Sequence, residues 1–239
     1  MCELLRARPE QVVRLLSSTK GKRHRAVAQL AGEAGVAIEG VSASQIVDVL
    51  VNQAGVGRGV ADAVHNGFAA EVDESIASAF GDAADAGLVV LLEDVQDPRN
   101  LGALLRVCDG AGVSKVLIRD RGSAPLGPTA VKTSAGAAEY VDVERVANSA
   151  DAIERYRDQG FWCFGADAGG RPAWELDLSG PTLLCIGGEE SGLRQRTRQL
   201  CDELASLPMR GRVSSLNVAT AASALLFEAV RQRTTDSKE

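Results

Sequence analysis

Three stretches of the 239-residue chain hold side chains whose types and spacing could do chemistry, and each lies at the end of an apolar run. The first, EDVQDPRNLGALLRVCDGAG over residues 93–112, places Asn100 where an N-cap belongs, before a helix whose apolar face is Leu101, Leu104, Leu105 and Cys108. Arg106 then falls about 240° around that helix, within two turns of the cap. The second, CIGGEESGL over 185–193, ends a strand in two glycines that allow backbone to approach a flat ligand beside the carboxylates of Glu189 and Glu190. The third, LPMRGRVSSLNVATAASALLFEAVRQR over 207–233, clusters Ser214, Ser215 and Asn217 at the start of a helix. Ala219, Ala221, Ala222 and Ala224 on that helix let another backbone come close. Each loop also reads as ordinary local structure: a capped helix with a solvated Arg, a tight turn with an acidic helix start, a pair of caps. The dinucleotide pattern G-x-G-x-x-G is absent from the glycine loop. Covalent cysteine chemistry has no support, because the only Cys near these polar residues, Cys185, is inside a strand. His24 and His65 are too few and too far apart for a metal site, and no C-x-x-C occurs.

The elements that must position these loops are legible as well. LVVLL at 88–92 is continuously apolar, as a strand covered on both faces should be, and KVLI (115–118), YVDV (140–143), FWCFG (161–165), TLLCIG (182–187) and ELASLPM (203–209) follow with helical segments between most of them. This predicts an α/β fold with a mostly parallel sheet, whose ligands bind outside the carboxyl ends of the strands, where the three loops fall. Residues 1–74 read as a smaller α/β/α module: helices at Pro9–Leu16 and His24–Glu33, an apolar run at Val36–Val41, a helix capped near Ser44, and GFAAEV at Gly67–Val72. Residues 75–87, small and acidic, read as the linker to a second domain at 88–239.

Composition bounds the class. With 45% hydrophobic and 24% charged residues, and no stretch of about 18 apolar residues, the chain is globular and neither disordered, coiled coil nor membrane-spanning. The first residues offer no secretory h-region, and five widely spaced cysteines read as reduced thiols, so the cytoplasm is the expected compartment. Net charge is −6, yet RLLSSTKGKRHR contains Arg14, Lys20, Lys22, Arg23 and Arg25 without an acid. By itself that run is more often a solvated face than a phosphate-binding patch.

In this order, DPRNLGALLRVCDGAG, GGEESGL and the long third stretch resemble the three motifs of the SpoU/TrmH group of SPOUT RNA 2′-O-methyltransferases. AVHNGFAAEV, SAGAAEYV and CDELASLPM are similar to the branch that methylates guanosine in 23S rRNA, so the resemblance covers nearly the whole chain. It implies an L30e-like N-terminal module that grips RNA, a methyltransferase domain with a C-terminal trefoil knot, and a homodimer with sites at the subunit interface. It implies S-adenosylmethionine as co-substrate, no metal, and rRNA as partner, with a guanosine of the peptidyl-transferase-centre loop that pairs with P-site tRNA as target. The residues that match the family's site are Asn100, Arg106, Glu189, Ser215 and Asn217, with backbone around Gly187, Leu207 and Leu216 holding the methyl donor. On this reading Arg106 steers RNA phosphate and stabilises the developing 2′-alkoxide, Glu189 orients Arg106 or a neighbouring amide, and Ser215 with Asn217 positions the hydroxyl. The Arg14–Arg25 run becomes part of the RNA grip.

Two features depart from the pattern. Glu190 stands where relatives carry Gly, which implies a strained or reshaped loop if φ there is positive. The chain opens at CELLRARPEQVVRLL without the usual short lead, which implies an absent edge element or a misassigned start. The rivals are a tRNA ribose methyltransferase, which typically lacks the N-terminal module, an rRNA methyltransferase conferring antibiotic resistance, and a non-catalytic ribosome-assembly protein. The last predicts decay of the polar set, yet all five residues are present.

Overall fold

The computed structural model describes residues 1–53, 65–73, 87–189 and 191–236; all but the last residue of the expected linker, and Glu190, lie outside them. The chain forms two compact units, Met1–Phe80 with Leu126–Tyr140, and Gly81–Pro125 with Val141–Glu239.

The first unit is built on a three-stranded sheet in the order β2-β1-β3, with β1 at Val12–Ser17, β2 at Ile38–Gly40 and β3 at Phe68–Val72. β1 pairs parallel to β2 and antiparallel to β3. Its adjacent residues Leu15 and Leu16 face opposite ways, as strand periodicity requires. Leu15 packs with Leu5, Val27 and Ala31, and Leu16 with Ile46 and Ala69. Helices α1 (Cys2–Ala7), α2 (Lys22–Glu33) and α3 (Ala43–Gln53) supply those partners except Ala69, which is on β3, making the α/β/α layering. The helix expected at Pro9–Leu16 is corrected: a 3-10 turn at Pro9–Gln11 runs into β1. β-branched Val12 and Val13 and a central place in the sheet outweigh the local helical spacing. The cap of α3, expected near Ser44, is Ser42: its Oγ accepts from Gln45 N at 3.2 Å while Gln45 Oε1 accepts from Ser42 N at 2.8 Å, a reciprocal capping box. A further short helix of this unit, at Pro128–Thr133, is reached after the second unit has begun.

The second unit holds a six-stranded sheet in the order β6-β5-β4-β8-β7-β9, every pairing parallel. The strands are β4 (Leu88–Leu92), β5 (Lys115–Arg119), β6 (Asp142–Val146), β7 (Trp162–Pro172), β8 (Thr182–Ile186) and β9 (Glu203–Ser206). The central β4 and β8 are inaccessible along their whole length, so apolar residues of both parities are buried and the sheet is covered on both faces. Helix α4 (Pro98–Gly110) follows β4, α5 is the Pro128–Thr133 helix, α6 (Ser149–Asp158) follows β6, α7 (Gln195–Leu200) precedes β9, and α8 (Val218–Asp236) packs along α4. β6 begins at Asp142 rather than Tyr140, which ends a 3-10 turn over Ala137–Glu139. Among the described residues no helix is long and apolar enough to cross a membrane, and no group of His, Cys, Asp or Glu could hold a metal ion.

Candidate active site

The carboxyl ends of β4, β8 and β9 lead into the three loops. At the first, the N-cap of α4 is Asp97, not Asn100: its Oδ1 accepts from Arg99 N at 2.8 Å, and Pro98, with no N–H to satisfy and φ preset, takes the first helical position. Asn100 therefore sits in the first turn, with its side chain free to reach outward.

It reaches two distant segments. Asn217 precedes α8, and its Oδ1 accepts from Ala219 N at 2.9 Å and Thr220 N at 3.4 Å. That leaves its Nδ2 to donate to Asn100 Oδ1 at 3.0 Å, and Asn100 Nδ2 to donate to Glu189 Oε1 at 2.5 Å. The direction is fixed at both ends, by helix N–H groups that can only donate and a carboxylate that can only accept. One amide relay thus ties the segments after β4, β8 and β9, joining residues 117 and 89 positions apart.

The other expected site residues are placed differently. Arg106, Ser215 and Leu216 are exposed, and Arg106 makes no hydrogen bond or ion pair among the described residues. Of the two partners expected for Glu189, Arg106 or a neighbouring amide, it bonds an amide, that of Asn100. Residues 207–217 carry the chain from the edge strand β9 back to the mouth of β4, and among the described residues none of 207–216 makes a backbone–backbone hydrogen bond. Met209, Val213 and Leu216 lie exposed on this segment. Unpaired main-chain donors and acceptors beside accessible apolar side chains are what a nucleoside-like ligand requires of a protein.

The glycines of the second loop serve the chain itself. A Cβ at Gly187 would stand 2.0 Å from Gly192 C, and one at Gly188 would stand 2.3 Å from Asp94 O. On the side where a Cβ would project, both glycines meet neighbouring backbone, and the segment forms a tight loop closed by a Gly188–Gly192 bridge rather than a helix start. α7 begins only at Gln195.

Sequence reasoning missed a carboxylate pair at the end of β4. Glu93, 1% exposed, accepts from Ser149 Oγ at 2.7 Å, Thr197 Oγ1 at 2.9 Å and Arg194 N at 2.9 Å. Asp94 accepts from Arg119 Nη1 at 2.8 Å and Arg194 Nε at 2.7 Å. The available signal was two acids directly following a fully apolar strand in the middle of a parallel sheet.

In the first unit, Lys20, Lys22, Arg23 and Arg25 are exposed and free of ion pairs among the described residues. Arg14 instead lies on β1 near Glu39 at 4.0 Å and Glu71 at 3.9 Å. His24 Nδ1 pairs with Ser17 Oγ at 3.0 Å, and His65 Nδ1 accepts from Gly67 N at 2.9 Å, so both imidazoles are engaged locally.

The chain is similar to known proteins. Residues 87–227 fit the model of the SpoU rRNA methylase family. The 23S rRNA (guanosine-2′-O-)-methyltransferase RlmB of Pseudomonas aeruginosa is 42% identical over 182 residues, 73% of this chain and 73% of that protein. That of Pectobacterium atrosepticum is 43% identical over 180 residues, 72% of this chain and 73% of that protein. Among solved structures, the SpoU methyltransferase AviRb of Streptomyces viridochromogenes, in complex with the cofactor AdoMet, is similar with a TM-score of 0.73 at 27% identity, covering 98% of this chain and 88% of that one. A sheet with all strands parallel, three loops joined at its carboxyl end by Asn100, Glu189 and Asn217, and a family match spanning all three identify the chain as a member of the SpoU rRNA methylase family.

Proposed function

We propose that this chain transfers a methyl group from S-adenosylmethionine to the ribose 2′-hydroxyl of a guanosine in 23S rRNA, in the peptidyl-transferase-centre loop that pairs with P-site tRNA. The observation that carries the reading is the relay from Glu189 through Asn100 to Asn217, which gathers the polar residues of three separate motifs, together with relatives named for that reaction over nearly three quarters of the chain. S-adenosylmethionine, when bound, supplies a methyl group on a sulfonium already activated for displacement. The chain's own task is alignment and removal of one proton. Main-chain polar groups of 207–216 and the backbone at Gly187 would hold the donor, with Leu216 and Met209 as the accessible apolar side chains beside them. Arg106, exposed and without an internal acid, is available to steer an RNA phosphate and to stabilise the developing 2′-alkoxide. Because a guanidinium stays protonated, a phosphate oxygen or water takes the proton. Ser215 orients the attacking hydroxyl, and Asn217 fixes the loop that carries it.

In this reading the first unit is an L30e-like RNA grip, its contacts made by Lys20, Lys22, Arg23 and Arg25, with Arg14 at the margin. The second unit contains the trefoil knot of its group, and two copies form a cytoplasmic homodimer whose sites lie at their interface. The test is to map ribose methylation across 23S rRNA from a strain lacking the gene, and to restore it with the purified chain and S-adenosylmethionine. One unmethylated guanosine in the peptidyl-transferase-centre loop, remethylated in vitro, is the expected result. A complete methylation pattern in the deletion strain refutes the proposal.

A further inference from the structure

Asp94 has φ of 57°, in the left-handed region that costs a non-glycine residue about 1 kcal/mol or more. Strain of that kind persists only where the surroundings hold it, and here they do. Arg119, at the end of β5, donates to Asp94 Oδ1 at 2.8 Å, and Arg194, beyond the glycine loop, donates to Oδ2 at 2.7 Å and to Oδ1 at 3.2 Å. In that turned conformation the Asp94 carbonyl lies against Gly188, so close that any side chain there would collide with it. A Cβ at Gly122 would likewise strike Asp94 Oδ1, at 2.4 Å. Glu93, the preceding residue, grips the far end of the same loop through Arg194 N and the start of α7 through Thr197.

The segments after β4 and β8 are therefore clamped together behind the point where Asn100 meets Glu189 in front. We infer that Asp94, locked by Arg119 and Arg194, is a positioning residue for methyl transfer: it sets the separation across which Asn100 and Glu189 bond, without itself touching substrate. The inference rests on the proposed reaction for its kinetic arm only. The clamp takes no part in the relay, whose acceptor is Glu189 and whose helix contact is Asn217.

Two substitutions separate positioning from simple stability. Asp94→Gly tolerates positive φ and so removes the strain along with both arginine contacts, whereas Asp94→Asn also tolerates it and keeps an oxygen for the arginines. Two measurements are made on the full chain: the side-chain ¹⁵N–¹H resonances of Asn100, identified by their loss in Asn100→Asp, and kcat with KM on 23S rRNA. In the native chain the expected result is Asn100 protons spread by the bond to Glu189. In Asp94→Gly they collapse toward free-amide values, kcat falls at least about tenfold while KM for RNA changes less than about threefold, and the melting temperature does not fall in proportion. Asp94→Asn recovers most of kcat. If the Asn100 resonances in Asp94→Gly are unmoved, or kcat is unchanged, the positioning role is wrong. A native chain inactive on rRNA refutes the proposed reaction instead, and the resonance arm still decides the clamp.

Discussion

Asn217 performs two tasks with the two ends of one amide, and substitutions can divide them. Asn217→Ala removes the cap of α8, at a cost of about 1 kcal/mol, and the bond to Asn100, at about 1 kcal/mol more. At about 2–4 °C per kcal/mol for a chain of this size, the melting transition should fall by about 4–8 °C. Asn217→Asp keeps an oxygen for Ala219 N and Thr220 N and adds a charge that the helix N-terminus favours, so the cap survives. It has no N–H to give, however, and sets a carboxylate 3.0 Å from an Asn100 oxygen whose own NH₂ is already committed to Glu189. The expected outcome for Asn217→Asp is a melting temperature within about 2 °C of the native chain and a methylation rate at least about tenfold lower. Thermal unfolding followed by circular dichroism, alongside transfer of labelled methyl to 23S rRNA, measures both. Asn217→Asp melting as low as Asn217→Ala would show that the cap is not what Oδ1 contributes, and full activity in Asn217→Asp would show that the relay does not set the site.

Gly188→Ala drives a methyl group into the Asp94 carbonyl and should cost about 1–3 kcal/mol with loss of S-adenosylmethionine binding by calorimetry. Gly192→Ala, with open space but φ of +62°, should cost about 1 kcal/mol and leave binding measurable. Replacing Lys20, Lys22, Arg23 and Arg25 together should lower the slope of log affinity for RNA against log salt by up to about 3, and an unchanged slope removes that face from the RNA contact. The hydrogen bond from Tyr140 Oη at 2.5 Å, and secondarily Arg6, holds the Glu3 carboxyl below its ordinary 4.5. With the folded value depressed, this contribution is complete above the unfolded value and is lost as pH falls through the folded one. Urea denaturation between about pH 6 and pH 3 should therefore show less acid destabilisation in Tyr140→Phe than in the native chain.

How much was legible in the sequence differs between strands and site. β4 and β8 could be read because a strand buried on both faces leaves an uninterrupted apolar run, and β1 could not, because VVRLL fits a helical stripe until its neighbours β2 and β3 are known. Asn100 has the side chain of an N-cap for α4, but Asp97-Pro98 carries the stronger signal and takes that place. The types of residue in the site were visible, but their pairing was not. That Asn100 bonds Glu189 and Asn217 depends on loops converging from 89 and 117 residues away, and no local pattern encodes it. The clamp at Glu93 and Asp94 escaped for the same reason, since its donors come from β5, α6 and the start of α7.

The first unit is not continuous along the chain. Leu126–Tyr140 complete it, with Glu139 bonded to Arg8, Tyr140 to Glu3, and Gly136 at φ +104° leaving no room for a side chain beside Glu3. During synthesis, therefore, the opening residues wait until two strands of the next sheet have left the ribosome before their own packing can finish. A gene fragment cut at the apparent boundary yields neither half intact: one lacks Leu126–Tyr140, and the other carries those fifteen residues orphaned in its middle.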